Sequence, residues 1–398
     1  MRRRGTFLTV VGLAFAVATG CLPSSAPQAA STPTGVKGPL SIKGNRIVDA
    51  KGVTVVLRGI HRAYIDDPHA TGGEVSADEV LLATRGKPGS WNSSVVRVPM
   101  GSAQWTGECP SLYTASAAYR KNTDLLVKRI TDRGVVALLD LHVSTAGCTS
   151  IDRHAMPDAP ISQHFWSSVA AHYAKNPLVA FELYNEPHYI TDATWRDGTT
   201  DATVQDCDVT EPQATGLAQV DQRLSLAGCQ FRSAKYQAAG MQELYNIVSK
   251  AAPKHLIVID GPGWAANVSS QPVKGTFVYG FHPYSCSVPG DPCDATDKAH
   301  ANLSLLNKWQ AVAKKQPVFA SEIGWPSYSG TGSSAVYVDG ASYYRETLAY
   351  LEKQSPKWGF VAFAWDGGSR GAFSMVDDTG TYAPNSTAKP VFDLMRSR

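Results

Sequence analysis

Eight short apolar runs recur along this chain, separated by amphipathic stretches, and they restrict the fold more than any other feature. They read VTVVLRGI (53–60), SVVRVPM (94–100), VVALLDLHV (135–143), LVAFELYNEP (178–187), HLIVID (255–260), FVYGFHPY (277–284), PVFASEIGW (317–325) and FVAFAWD (360–366). A strand with one face in water alternates apolar and polar residues, whereas continuous apolar runs signal strands covered on both faces, as in parallel sheets. The intervening stretches have helical periodicity. In AYRKNTDLLVKRITDRG, Leu125, Leu126 and Ile130 make one face and Lys121, Lys128 and Asp132 another. SAKYQAAGMQELYNIVSK has the same character, and the shortest connection, 261–276, has room for only a brief helix. Eight strand-then-helix units without a second linker predict an α/β fold, one (β/α)8 barrel of the TIM type. A doubly wound open sheet fits less well, because no Gly-rich phosphate turn follows any strand and GPG at 261–263 is short and broken by proline. Ahead of the barrel, LSIKGNRIVDAKG turns at Gly44-Asn45 and predicts a small N-terminal hairpin.

The first residues do not belong to that core. MRRRGTFLTVVGLAFAVATGC has a basic start and an apolar run from Phe7 to Gly20, too short to span a bilayer and shaped like a secretory signal, residues 1–20. Ala18-Thr19-Gly20-Cys21 resembles the bacterial lipoprotein processing site, with Cys21 as the lipidated residue, although simple cleavage nearby is the alternative. Residues 21–38 are rich in Pro, Ser, Ala and Thr and read as a tether, leaving 39–398 as the folded barrel. The whole chain carries a formal charge of +3, and Arg2, Arg3 and Arg4 leave with the signal, so the mature chain is neutral. That balance offers no footprint for nucleic acid and no basic patch for a membrane, and it suits a neutral polymer as partner. The only membrane contact expected is through the lipid, and the chain is expected to act as a monomer.

Cysteine usage agrees with export. Apart from Cys21 there are six: Cys109, Cys148, Cys207, Cys229, Cys286 and Cys293. Short separation favours pairing Cys286 with Cys293 and Cys207 with Cys229, which leaves Cys109 with Cys148, although sequence alone does not decide among the pairings. None has the spacing of a zinc or redox site, no carboxylate-rich loop fits calcium, and neither metal nor cofactor is expected.

In such a barrel the chemistry gathers at the C-terminal ends of the strands. Arg97 lies near the end of the second run, His142 near the third, Asn185-Glu186 at the fourth, His282 and Tyr284 at the sixth, Glu322 at the seventh and Trp365 at the eighth. Burying an unpaired charge is costly, so strands of this kind carry one for a reason. A lone strand-end glutamate is ordinarily a salt-bridge partner or cap. Two of them, converging with an arginine and two histidines, point to glycoside hydrolysis. A retaining glycosidase needs two carboxyls roughly 5–5.5 Å apart, one a nucleophile and one a proton donor that later becomes the base. Arg97 and Tyr284 can keep Glu322 ionised as nucleophile, Glu186 can hold the proton, and Asn185 can donate to a sugar 2-hydroxyl.

These motifs, NEP closing the fourth strand and SEIG the seventh, resemble those of glycoside hydrolase family 5, the cellulase-type enzymes of clan A. The resemblance extends to Arg97 in VVRVP, His142 in LDLH, His282 and Tyr284 in FHPY, and Trp365 in FAWD, and it covers the chain from about residue 40 onward. It implies that Glu186 is the acid/base and Glu322 the nucleophile, with His142 and His282 as pocket histidines bonding sugar and catalytic groups. It further implies a β-linked polysaccharide or oligosaccharide substrate, β-1,4-glucan first, with β-mannan, β-1,3-glucan or short glycosides as alternatives. A non-catalytic carbohydrate-binding barrel is the rival of another class. Two departures stand out. The first strand runs into His61 where many relatives have asparagine, and the loop 188–231, with Cys207 and Cys229, is longer than a minimal member needs. Tryptophan near a strand end can stack on a pyranose, so Trp365, Trp105 and Trp264 are candidate sugar contacts, while Trp325 reads as structural support beside Glu322. His154, His164 and His172 read as surface or satisfied core residues.

Overall fold

The computed structural model describes residues 35–62, 77–85, 87–112, 117–149, 151–152, 154–206, 230–284, 301–325, 328–329, 336–337, 339–365, 373–377 and 381–397. The compact unit runs from Thr34 to Arg398. It begins with a hairpin, β1 (Ser41–Lys43) and β2 (Arg46–Val48), turning at Gly44-Asn45 as expected.

Eight parallel strands follow: β3 (Arg58–Arg62), β4 (Val95–Gly101), β5 (Val136–Thr145), β7 (Val179–Glu182), β10 (Ile257–Asp260), β11 (Val278–Gly280), β12 (Val318–Gly324) and β15 (Gly359–Trp365). Each pairs with its predecessor and β15 returns to β3, so the sheet closes into the (β/α)8 barrel. Each predicted run supplies one barrel strand. The first begins later than its apolar run, at Arg58 rather than Val53. Around the barrel lie α1 (Ala77–Ala83), α2 (Ser102–Thr106), α3 (Ala117–Thr131), α4 (Ala159–Tyr173), α5 (Asp192–Asp197), α6 (Met241–Ala251), α7 (Leu303–Lys308), α8 (Gln310–Ala313), α9 (Ala341–Lys353) and α10 (Lys389–Arg396). Residues 261–276 hold turns and no helix. Shorter strands decorate the loops: β6 (Ile151–Asp152), β8 (Thr199–Asp206) with β9 (Gln230–Ala238), and β13 (Tyr328–Ser329) with β14 (Val336–Tyr337).

Successive side chains on a strand point to opposite faces, which gives the barrel two cores. One lies between sheet and helices and includes Ile60, Val96, Val98, Leu139, Phe181 and Ile259. The other fills the lower interior with Leu57, Val95, Val136, Leu138, Ala180, Leu256, Val258, Val278, Phe319 and Val361, joined by Leu40 and Ile47 from the hairpin segment. Two residues further along four strands, on the same inward face, come Arg97, Asp140, Glu182 and Asp260, all fully buried. An apolar layer is thus overlaid by a charged one. This explains why strands otherwise composed of valine and leucine carry charge.

Cys109 and Cys148 are joined, with Cα atoms 5.2 Å apart, and tie the end of α2 to the loop after β5. Cys21, Cys207, Cys229, Cys286 and Cys293 lie outside the described residues. No described helix is long and apolar enough to cross a membrane.

Candidate active site

Arg97 is the hub of the charged layer. Its Nε donates to Glu182 Oε2 at 2.8 Å, and Nη2 donates to Glu182 Oε1 at 3.1 Å and to Asn185 Oδ1 at 2.9 Å. Nη1 donates to Glu322 Oε2 at 2.6 Å and meets His61 Nδ1 at 2.9 Å, while Asp140 Oδ2 lies 3.0 Å from Nη2. A planar guanidinium can hold such an array because its five donors are fixed in a fork. Arg97 sits inside β4, below the strand end, as its place in the charged layer requires.

The two glutamates approach from different strands. Glu322 is on β12, where the register with β15 slips between Ala320 and Ile323; a bulge of this kind re-aims a side chain. It is buried, with Oε2 on Arg97 and Oε1 accepting from the Tyr284 hydroxyl. Glu186 follows β7 and has φ +53°, a left-handed conformation that a non-glycine residue adopts only when its surroundings impose it. Its amide donates to Asp260 Oδ2 at 3.3 Å, and its Oε1 is 2.8 Å from His282 Nδ1. One carboxylate oxygen from each glutamate and a His282 nitrogen all lie within 4.8 Å of one another. Asn185, between β7 and Glu186, is buried; its Nδ2 has no hydrogen-bond partner among the described residues and is a free donor beside the carboxyl pair.

Five carboxyl groups, Asp140, Glu182, Glu186, Asp260 and Glu322, face the cations Arg97 and His282. Burial alone would lower His282, but Asp260, Glu322 and Glu186 outweigh it and push the ring up to about 9. Burial raises Asp260, with Glu182 acting in the same direction, while the cations of His282 and Arg97 favour its ionised form. Burial also raises Asp140 well above the carboxylate range, opposed by Arg97. Glu322 is raised by burial, and His282, Arg97 and the Tyr284 hydroxyl restrain the rise. The layer therefore holds protons near neutrality, a suitable setting for acid/base chemistry.

His142 Nδ1 lies 2.7 Å from Asp140 Oδ2, which places the ring in the layer. Trp264 is half-buried and stacks face to face on His188, with ring centroids 3.5 Å apart and Tyr189 edge-on to both. Trp365 closes β15, buried and stacked on Tyr382 at 4.3 Å, with its indole N–H unbonded among the described residues. Trp105 is a correction. It is buried in α2, bonded through Nε1 to Ser168 at 3.0 Å and packed against His172, Tyr173 and Arg120, so it belongs to the helix layer rather than to a sugar-binding surface. Trp325 packs on Tyr343, as a supporting residue would. His164 and His172 pair with Glu108 and Asp124 at the surface, and His154 is fully buried.

Three members of the site, Asp140, Glu182 and Asp260, were not singled out from sequence, and a fourth, His61, was named there only as a departure from the family pattern. Each stands inside or at the end of an apolar run, and that was the available signal. His61 is buried against Arg97 and 4.7 Å from the Phe363 ring, so it occupies the site without the asparagine that relatives carry. Glu182 and Asp260 with His282, and Glu186 and Glu322 with His282, have a spacing that could hold a cation. Arg97 and the protonated ring already supply positive charge to both groups.

The sequence model of the family described as cellulase (glycosyl hydrolase family 5) matches residues 83–369. An endoglucanase of Paenibacillus polymyxa is 25% identical over 367 residues, 81% of this chain and 80% of that protein. A mannan endo-1,4-β-mannosidase of Streptomyces lividans is 29% identical over 207 residues, half of this chain and 46% of that protein, so the chain spans less than half the mannosidase's length. Among solved structures, a β-glucanase from Saccharophagus degradans superposes with a TM-score of 0.60 at 19% identity, covering 92% of this chain and 94% of that one; it has also been solved with cellotetraose. The catalytic domain of a Thermobifida fusca endoglucanase gives a TM-score of 0.57 at 17% identity, covering 90% and 97%. With its family model matched across most of the barrel, the chain belongs to glycosyl hydrolase family 5 and is a glycosidase acting on O-glycosyl bonds.

Proposed function

We propose that the chain is an exported, lipid-tethered, monomeric endo-type hydrolase of β-1,4-glucan that works by double displacement with retention, using Glu322 as nucleophile and Glu186 as acid/base. One observation supports the mechanism: carboxylate oxygens of the two glutamates lie within 4.8 Å, in keeping with the short separation of a retaining pair and well under the roughly 6.5–9.5 Å of an inverting one. In the first step a Glu322 oxygen bonds to the anomeric carbon as the glycosidic C–O bond breaks. The leaving oxygen takes its electron pair and the proton of Glu186. In the second step Glu186 accepts a proton from water while the water oxygen displaces Glu322. Arg97 and Tyr284 hold both Glu322 oxygens, which fixes the carboxylate for attack and makes it a better leaving group when the intermediate breaks down. The Asn185 amide is available to the 2-hydroxyl. The shelf of Trp264 and Tyr189 beside Glu186 suits the leaving-side sugar.

Glucan is favoured by the Paenibacillus endoglucanase, which aligns over most of both chains. The test is reducing-sugar release from carboxymethylcellulose, mixed-linkage glucan, laminarin, mannan and xylan, with Glu322→Ala as control. Release from the β-1,4-glucans that vanishes in the variant is expected. Release from mannan alone would move the reading to a mannanase, and binding without release from any polymer would leave the non-catalytic binder.

A further inference from the structure

We propose that Asp260 is the positioning residue of the acid/base glutamate, setting both the aim of Glu186 and the charge of the histidine that faces it. The inference rests on the hydrolase reading and names a residue that reading does not use.

Asp260 ends β10, fully buried, and its carboxylate reaches the three strand ends that carry the chemistry. Oδ2 accepts the Glu186 amide at 3.3 Å, a bond that helps hold the left-handed backbone from which the Glu186 carboxyl is aimed. Oδ1 accepts from Ser321 Oγ at 2.9 Å, and Ser321 immediately precedes Glu322. His282 Nε2 lies 3.3 Å from Oδ2, while the other ring nitrogen faces Glu186 Oε1 at 2.8 Å. The fold leaves room for this arrangement at Gly280, where a Cβ would stand 2.0 Å from Asp260 Oδ1 and 2.8 Å from Ser321 Oγ.

Asp260, His282 and Glu186 therefore form a line of carboxylate, imidazole and carboxyl. When Glu186 gives its proton to the leaving oxygen it becomes an anion. A cationic His282 then donates its Nδ1–H to that anion. The ring keeps its charge because Asp260 from β10, Glu322 from β12 and Glu186 itself surround it, and the charge of Asp260 is the largest single contribution among them. Glu182 and Arg97 stand behind Asp260 and oppose each other there. Without Asp260's charge, the ring gives up its proton at lower pH and Glu186 becomes a weaker acid.

The assay is kcat/KM for Asp260→Asn on a series of aryl β-cellobiosides, because this parameter reports the step in which the aryl group leaves. A weakened acid matters in proportion to the basicity of the leaving group. Loss on phenyl cellobioside should be about 100-fold, and loss on the dinitrophenyl analogue under about fivefold. An equal loss on both, or no loss, would overturn the proposal. Ser321→Ala leaves the carboxylate in place and frees Oδ1, so it should lose about fivefold on the phenyl substrate and nothing on the dinitrophenyl one. A uniform loss in Ser321→Ala would overturn the proposal even if Asp260→Asn fails to fold. Wild-type protein inert toward every aryl glycoside would sink the hydrolase reading and this one together, whereas an active wild type with a uniform Asp260→Asn loss would sink this one alone.

Discussion

Replacing Arg97 with methionine keeps the aliphatic stem and removes the whole fork. Asp140, Glu182 and Glu322 would lose their shared cation, and Asn185 Oδ1 and His61 Nδ1 would lose a partner. Removing one member of a buried ion pair costs about 3–5 kcal/mol, a large share of the roughly 5–15 kcal/mol that holds a domain folded. The cost must depend on pH. Asp140 and Glu322 already lie above the ordinary carboxylate range, and losing Arg97, which pulls both down, raises them further. A group raised in the folded state stabilises it most below its unfolded pKa, and that contribution is lost as pH climbs through the folded value. The gap between wild type and variant should therefore be about 3–5 kcal/mol near neutrality and shrink to less than about 2 kcal/mol near pH 4.5, as the stranded carboxyls take up protons. Urea titrations of both proteins at three pH values measure it. A gap that stays constant with pH, or widens toward acid, would refute the reasoning.

His282 yields a stability signal of its own. Its pKa is raised from 6.5 to about 9, so its contribution is complete below pH 6.5 and fades as pH rises through about 9. Wild type should weaken across that window in urea, and His282→Gln should lack this component. Gly280→Ala should push Asp260 aside, since the new Cβ would meet its Oδ1 at 2.0 Å, and hydrolysis should fall by more than about tenfold with the fold retained by circular dichroism. Opening Cys109–Cys148, which closes a 39-residue separation, should cost about 3–4 kcal/mol, read as a lower melting temperature under reductant, with activity per folded molecule little changed.

The barrel and its two glutamates were legible because both are written along the chain. Eight apolar runs give the strands, and a carboxylate closing such a run stands out in one dimension. Asp140 and Asp260 were equally visible as letters, but their role depends on phase. Whether a residue faces the barrel axis or the helices follows only when its strand's register against its neighbours is known, as when Asp140 aligns with Glu182 across β5 and β7. Ring orientation is more remote still from sequence. Trp105 and Trp264 both follow strands, yet a short helix carries one into the α3–α4 layer, and a left-handed turn at φ +61° sets the other against His188 beside Glu186. His61 stood out in the sequence only as a departure, because family habit suggested an asparagine there, while the geometry needs only a group that can meet the arginine.

The layering of the barrel interior has one more consequence. Valine, leucine and phenylalanine floor the space beneath the charged layer, so the barrel is a cup rather than a pipe. On the proposed reading, protons and water would reach the carboxyls of the charged layer from the rim, and a sugar seated there would stopper the cup. The protons inside at that instant would be the stock with which the first bond is broken, and the water of the second step would enter only as the first product departs.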